Sequence, residues 1–523
     1  MRFITPMKRY IFIILLILAL AGIADAGYLT YEHFAHAVPT CTINRFLPMF
    51  SDCGAVLRSK YSLIFGVPLA LLGLIHYLIL TSVITLAIVF NKKMWWFWVL
   101  IEATAGAFAS VYFMYLQIGI IGKLCLYCTL SALISFIIFS LAILWMEMER
   151  KTLFIYILGF VYQHFFKPLF FLIDPEIVHV SMVGMGELMG KFSLKRKFIA
   201  AFLNIQNKKL EQNIAGIHFA NPVGLSAGFD YEARLTQILP SVGFGFETVG
   251  TITYSPYEGN TRPMLGRLPK SRSLMVNKGF KNLGAGETMR RMSSLYFEMP
   301  VGISIGRTNG KKNMTQKQSV EDVVKAFTLF EKSHVRHSYY ELNISCPNLY
   351  GNISFYPPEN LKQLLSAVQK IKITRPVFVK MPIEKSDKEV KEMLSIISQF
   401  SIIKGVIFGN LQKDRKDPSL DPDEVKKFKV GYLSGKPTEK RSNELIKLSY
   451  RLYKKRFIII GCGGIFSAQD AYKKIRLGAS LVQLITGMVY QGPGLIGQIN
   501  LELLDLLKRD GLKHISEAVG KDN

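Results

Sequence analysis

Ser62–Phe90 runs for 29 residues without one Asp, Glu, Lys or Arg. A bilayer core takes ~20 apolar residues of helix to cross. Inside it every backbone polar group must be bonded within the chain, so a run like this has one ready solution, a spanning helix. Three others join it. Ile11–Ala24 follows Arg2, Lys8 and Arg9; Met94–Gly122 carries a single charge, Glu102; Leu124–Met146 is 23 residues with none. The first has the build of a signal peptide, but further spans follow it, so it reads as an uncleaved first helix. Four spans therefore occupy residues 1–150, and ordinary cytosolic solubility is excluded. Half of the 523 residues are hydrophobic, with no low-complexity tract. That excludes disordered and collagen-like chains.

The positive-inside rule orients the spans. Arg2, Lys8 and Arg9, then Lys92 and Lys93, then Arg150 and Lys151 fall on one face, the cytoplasmic one. The loop with Cys41 and Cys53 then faces outward, as does the start of the fourth span, with Cys125 and Cys128. Four thiols at the oxidising face point to redox work. Cys125-Leu-Tyr-Cys128 holds two sulfurs close enough to make and break a disulfide, and a helix N-terminus lowers a thiol's pKa. Four unrelated membrane cysteines, or a zinc site of four thiolates, are the alternatives.

Charge is uneven. Residues 1–150 hold 10 Lys+Arg against 6 Asp+Glu, and the remainder 54 against 32, for +26 in all. A basic soluble half beside membrane spans suits an anionic leaflet or anionic ligands; a generally Lys-rich composition gives the same balance. No Lys/Arg run interleaved with aromatics marks a nucleic-acid partner.

Leu153–Ile173 is apolar but interrupted by His164, Lys167 and Pro168, and reads as an interfacial helix with its apolar face in lipid. If it crossed, everything after it would lie outside. From about Ala215 short β-rich runs alternate with helical stretches: Asn221–Ala227, Glu247–Thr253, Val301–Gly306, Tyr340–Ser345, Val377–Met381, Gly405–Gly409, Phe457–Gly461 and Leu481–Thr486. Helices are expected at Ser319–Lys332, Asn360–Ile371 and Glu439–Lys455, the first two opening on capping residue types. This predicts a (β/α)8 barrel behind an α-helical membrane bundle. Loops after strands seven and eight of such a barrel commonly cradle phosphate, and Gly461-Cys-Gly-Gly464 and Thr486-Gly487 stand there. Strand four ends in Asn343-Ile-Ser-Cys346-Pro-Asn348, polar groups at a catalytic position. Cys346 is a base or nucleophile if its pKa is lowered; Cys462 reads as a small core residue.

In order along the chain, Cys41, Cys53-Gly-Ala-Val-Leu-Arg-Ser59-Lys-Tyr61, Phe65-Gly-Val-Pro-Leu-Ala-Leu-Leu-Gly73 and Cys125–Cys128 resemble the vitamin K epoxide reductase (VKOR) family, including its bacterial thiol-oxidising members. The resemblance implies that Cys41 and Cys53 relay electrons to Cys125 and Cys128, that this CxxC reduces a quinone within the bundle, and that Ser59 lies near the quinone. Eleven residues separate Cys41 from Cys53, longer than is usual in the family; closure entropy grows slowly with loop length.

A second resemblance, to dihydroorotate dehydrogenase, rests on Asn221-Pro-Val-Gly-Leu-Ser-Ala-Gly-Phe-Asp230, Gly243-Phe-Gly-Phe, Val249-Gly-Thr251, Gly259-Asn-Thr-Arg-Pro263, Asn277-Lys-Gly-Phe, Asn343–Asn348, Leu433-Ser-Gly435 and Ile460–Ile465. Phe165–His179 is similar to the helical extension that forms the quinone tunnel in the membrane-bound class. The resemblance implies FMN phosphate on Gly463, Gly464, Thr486 and Gly487, with Ser434 and Gly435 also binding the cofactor. Ala227, Gly228, Thr251, Asn343 and Lys380 would line the rest of it. Asn277, Asn343, Asn348 and Asn410 would hold the pyrimidine, and Cys346 would take its proton. The chain departs from the family at four positions: Cys346 stands where the quinone class has serine, Tyr231 replaces a lysine, Leu411 a hydroxyl residue and Ser304 an asparagine.

The expected layout is a four-helix membrane domain over 1–150, an interfacial extension over 151–214 and an FMN barrel over 215–523. The expected protein is a multi-pass enzyme of the cytoplasmic membrane, its barrel inside and its redox thiols outside. Dihydroorotate and a thioredoxin-like thiol partner would supply electrons, and quinone would accept them. A different dihydropyrimidine-like substrate, a membrane half serving only as anchor, and a barrel that binds without catalysis are the alternatives.

Overall fold

The computed structural model describes residues 6–35, 37, 53–90, 94–310, 314–351 and 353–523. Cys41 lies outside them. The chain divides into two compact units, Met1–Ile157 and Leu158–Asn523.

The first unit holds α1 (Pro6–Phe34), α2 (Leu69–Phe90), α3 (Met94–Tyr115) and all but the last turn of α4 (Leu126–Val161). Among the described residues five helical stretches are long and apolar enough to cross a membrane: Ile11–Phe34, Leu69–Phe90, Met94–Ile121, Leu126–Trp145 and Lys151–Leu172. The fifth is the segment expected to lie at the interface, so four is a minimum by length and composition. In lipid, helices gain nothing from hydrophobicity against one another and pack on close fit instead. Gly22 supplies such a fit, since a Cβ there would lie 2.4 Å from the ring of buried Tyr77. Phe12, Trp96 and Trp145 stack at 4.3 and 4.5 Å within the same core.

In the second unit α5 (Pro175–Gly190) starts sharply. Asp174 caps it by accepting from the Glu176 and Ile177 N–H groups, and Pro175 takes the first position, where its missing donor costs nothing. α6 (Ser193–Leu203) follows, and Leu172, Ile177, Val180, Leu188, Leu194 and Phe198 of this region are exposed. A two-residue turn at Ala215 and Gly216, both at positive φ, joins the hairpin Gln212–Ile214/Ile217–Phe219. Its Phe219 packs with Phe246, Tyr339, Phe378, Ile407, Ile460 and Leu481.

The barrel strands are β1 (Val223–Leu225), β2 (Phe246–Ile252), β3 (Val301–Ile305), β4 (Tyr339–Asn343), β5 (Val377–Met381), β6 (Ile403–Phe408), β7 (Ile458–Cys462) and β8 (Leu481–Leu484). They close in sequence order, every pair parallel. All eight coincide with the runs read from sequence, because strands covered on both faces are nearly continuous in apolar residues. The helix starts differ. The expected opening at Ser319 lies inside a helix of Gln316–Glu331, capped by a reciprocal Thr315/Gln318 box, and Ser319 is buried. The helix expected from Asn360 begins at Pro358 with no side-chain cap; Asn360 donates instead to the Ser354 carbonyl at 2.8 Å.

Candidate functional site

The C-terminal ends of the barrel strands carry a buried polar chain. Asn343 donates from Nδ2 to Thr251 Oγ1 at 2.8 Å, and Thr251 meets Ser304 Oγ at 2.8 Å. Ser304 donates to Glu341 Oε1 at 2.7 Å, which lies 3.7 Å from Lys380 Nζ. Lys380 donates to Ser226 Oγ at 3.2 Å, and Cys462 Sγ lies 3.7 Å from the same hydroxyl. The lysine is 4% exposed and the glutamate 0%, so each charge is tolerable only beside the other.

A second cluster gathers asparagines. Asn260 donates from Nδ2 to Asn277 Oδ1 at 3.1 Å and to the Asn348 carbonyl at 2.9 Å; Asn348 donates to the Val276 carbonyl at 3.0 Å. Asn410 donates to Ser345 Oγ at 2.6 Å, and Ser345 in turn to Asn343 Oδ1 at 2.9 Å. Cys346 follows Ser345 in the chain and is half-buried. Burial pushes its thiol up to about 11, while the Asn348 N–H and the charges of Lys380, Arg307 and Lys413 pull it down.

Three loops converge beyond strands six to eight. Ser434 and Thr486 hydroxyls lie 2.8 Å apart, and a Cβ on Gly435 would meet Thr486 Cγ2 at 2.7 Å. Gly463 has φ +90°, with Thr438 Oγ1 2.3 Å from where its Cβ would be. On the β1 side, Tyr231 donates to the Gly228 carbonyl at 2.7 Å. Over its ring, at 5.0 Å, lies the buried ammonium of Lys278, which burial lowers to about 8. His179 of α5 binds the Phe229 carbonyl through Nε2 at 2.9 Å, and burial lowers it to about 4, leaving it neutral.

In the first unit Cys53 is disulfide-bonded, while Cys125 and Cys128 are free thiols. Cys125 and Cys53 are buried in one cluster, with Cys128 packed against it. The Cys125 N–H donates to Gln117 Oε1 at 2.9 Å, and the Cys128 N–H to Cys125 Sγ at 3.4 Å. A cavity of about 400 Å³ opens beside them, lined by Cys128, Ser59, Gln117, His76, Gly106 and Ser131 among others.

Residues 209–507 match the dihydroorotate dehydrogenase family and residues 13–143 the vitamin K epoxide reductase family. The chain belongs to the dihydroorotate dehydrogenase family. A VKOR-family domain is fused ahead of it. Among curated relatives, dihydroorotate dehydrogenase (quinone) of Trichodesmium erythraeum is 32% identical over 367 residues, 67% of this chain and 95% of that protein. The enzyme of the same description from Christiangramia forsetii is 34% identical over 351 residues, 66% and 99% of the two chains. The crystal structure of DHODH from Eimeria tenella in complex with ferulenol aligns with a TM-score of 0.59 at 26% identity, covering 67% of this chain and 96% of that one.

The residues expected to bind cofactor and substrate in the dihydroorotate dehydrogenase half are thus brought into adjoining clusters at one end of the barrel. Side chains at Gly435, Gly463 or Gly487 would collide with Arg272 O, Thr438 Oγ1 or Ile465 O within 2.5 Å, so these loops close on their neighbours only with glycine there. Sequence reasoning missed Asn260, Ser226, Glu341 and Lys278. Glu341 carried a signal, since it lies two residues before Asn343 on β4 and so shares its face. Asn260, Ser226 and Lys278 stand inside family motifs but received no role of their own, and they join the site only through the fold.

Proposed function

We propose that the barrel oxidises dihydroorotate to orotate with FMN as cofactor and membrane quinone as acceptor, and that the membrane unit oxidises thiols with quinone as acceptor. The observation that carries the first reading is Cys346 flanked by Asn343, Asn348 and Asn410 beside a buried Lys380. Asparagine side chains offer the donor and acceptor a planar amide ring needs. FMN, when bound, supplies a two-electron acceptor. Ser434, Gly435, Gly463, Gly464, Thr486 and Gly487 would hold its phosphate, and Ala227, Gly228, Thr251 and Lys380 its ring system. Cys346 Sγ takes the proton from C5 of the substrate. Lys278 supplies positive charge over Tyr231, where the family has lysine. The exposed apolar residues of α5 and α6 support lipid contact and entry of quinone from the membrane.

For the membrane unit, the free Cys125–Cys128 pair beside an apolar cavity with Ser59 on its wall supports quinone reduction. A thioredoxin-like partner outside would deliver electrons through the Cys41/Cys53 loop. The basic residues at the span ends support a cytoplasmic barrel; a reporter fused after Lys195 and found outside would overturn that placement. The test of the barrel is an anaerobic visible spectrum of the detergent-purified protein. A flavin band bleached by dihydroorotate and restored by a soluble quinone is expected, and a band that does not bleach would move the substrate elsewhere. For the thiol reaction, Cys128→Ala should abolish disulfide formation in a periplasmic reporter; an unchanged reporter would reduce the membrane half to an anchor.

A further inference from the structure

A charged group inside a bilayer span is costly and is kept where a pathway or reaction uses it. Glu102 is the single formal charge in the Met94–Ile121 span. Its Oε1 lies 2.9 Å from Nδ1 of His76, in the otherwise uncharged Leu69–Phe90 span. The two side chains are only 19% and 24% exposed. His76 lines the same cavity as Cys128 and Ser59. With Nδ1 held by Glu102, Nε2 is the free ring nitrogen, and it makes no hydrogen bond among the described residues. It lies against Gly106, where a Cβ would come within 2.5 Å of it. The other titratable groups on the cavity wall are His33, Tyr61, Tyr77 and Cys128. The Tyr77 hydroxyl is committed to the Ser131 carbonyl and Ser135 Oγ, each at 2.9 Å. His33 is the last residue but one of α1, and Tyr61 lies in the short turn Lys60–Ser62. Asp25 of the first span, buried and without a hydrogen-bond partner among the described residues, bears electrostatically on Tyr77, Cys125 and Cys128.

We infer that the His76–Glu102 pair is the proton donor for quinone reduction in this cavity: His76 Nε2–H protonates a quinone carbonyl oxygen, and Glu102 holds the ring and balances its charge. This rests on reading the cavity as the quinone site of the membrane unit. Cys125 and Cys128 enter the step as thiols. An electron pair leaves the Cys128 sulfur for the quinone as the Cys125 sulfur bonds to it, so the dithiol becomes a disulfide and the quinone is reduced. One quinone oxygen takes the Nε2 proton and the other takes a thiol proton. The second thiol proton returns to the pair, which ends as it began. Two electrons and two protons pass from dithiol to hydroquinone.

The test uses the full-length protein in detergent, reduced with dithiothreitol and mixed with decyl-ubiquinone across a pH series. A positioned general acid contributes roughly 10²–10⁴-fold, so His76→Gln should slow reduction by about 100-fold or more. Its KM for the quinone should stay near that of wild type, showing an intact cavity. Wild type should lose rate at high pH as the donor deprotonates, and that limb should vanish in His76→Gln. Glu102→Gln, a positioning variant, should shift the limb, and added imidazole should restore part of the rate of His76→Ala. A His76→Gln protein with the wild-type rate and pH limb would overturn the inference, as would His76→Ala unresponsive to imidazole at unchanged KM. Failure of the underlying reading is separate: a Cys128→Ala protein that still reduces quinone at the wild-type rate would overturn the cavity assignment and the inference with it.

Discussion

In the proposed reaction, taking a proton from carbon needs the thiolate of Cys346, and burial holds that thiol up at about 11. Near pH 8, ~3 units lower, roughly one molecule in a thousand carries the base, which costs about 4 kcal/mol at 1.36 per unit. The active form is the deprotonated one, so activity is lost as pH falls through the pKa. Flavin bleaching by dihydroorotate, followed in a single anaerobic turnover, should therefore rise about tenfold per pH unit between roughly 7 and 10. A second perturbation checks the cause. Lys413 helps to pull the thiol down, and it pairs with Glu384 at 2.7 Å. Lys413→Met removes that positive charge, which pushes the thiol higher. The limb should move to higher pH with the plateau unchanged, by a small amount because Lys413 is 36% exposed and screened. Cys346→Ala should keep the flavin band and lose bleaching at every pH. A wild-type rate that stays flat between roughly pH 7 and 10 would refute Cys346 as a base governed by its burial.

Gly463→Ala puts a Cβ 2.3 Å from Thr438 Oγ1 at a φ of +90°, a backbone cost of about 1–2 kcal/mol before any collision. The purified variant should carry much less flavin per chain, measured from its visible absorbance. Lys474 is fully buried, its ammonium donating to Ser442 Oγ and Asn443 Oδ1 at 2.9 Å each, and burial lowers it from 10.5 to about 8. The unfolded lysine holds its proton to higher pH than the folded one, so stability should rise between those two values, by about 3 kcal/mol in all. Lys474→Met should flatten that rise in urea midpoints read by flavin release. Gly106→Ala should push the His76 ring off its seat and slow dithiol-driven quinone reduction while leaving dihydroorotate bleaching unchanged.

Val377–Met381 shows why the barrel could be read directly: both faces of the strand are buried, so its own residues announce it. The helix starts could not be read as well. Ser319 has the chemistry of a cap, yet it falls on the buried face one turn inside the helix, and the Thr315/Gln318 box does the capping. Charged pairs were hidden for a different reason. Lys380 and Glu341 meet because β4 and β5 run in a register that sets Asn343 beside Lys380, and no local pattern encodes that pairing. His76 and Glu102 are 26 residues apart on different helices; only the cost of placing Glu102 in an apolar span hinted at a partner. The asparagine cluster needed the fold outright, since Asn260 and Asn348 are 88 residues apart.

The groups named for each proposed reaction among the described residues fall within one unit. The dithiol, cavity and His76–Glu102 pair all lie within Met1–Ile157, and the thiol base, glycine cradle and asparagine cluster within Leu158–Asn523. The working account is coupling through a shared quinone pool alone. The consequence is separability within one intact chain. Cys346→Ala should abolish dihydroorotate-dependent quinone reduction and leave dithiol-dependent reduction at the wild-type rate, and Cys128→Ala should do the reverse. Measured on the same detergent preparation with one soluble quinone, a variant that slows both reactions together would mean that electrons or protons pass between the units, and would sink the pool-only account.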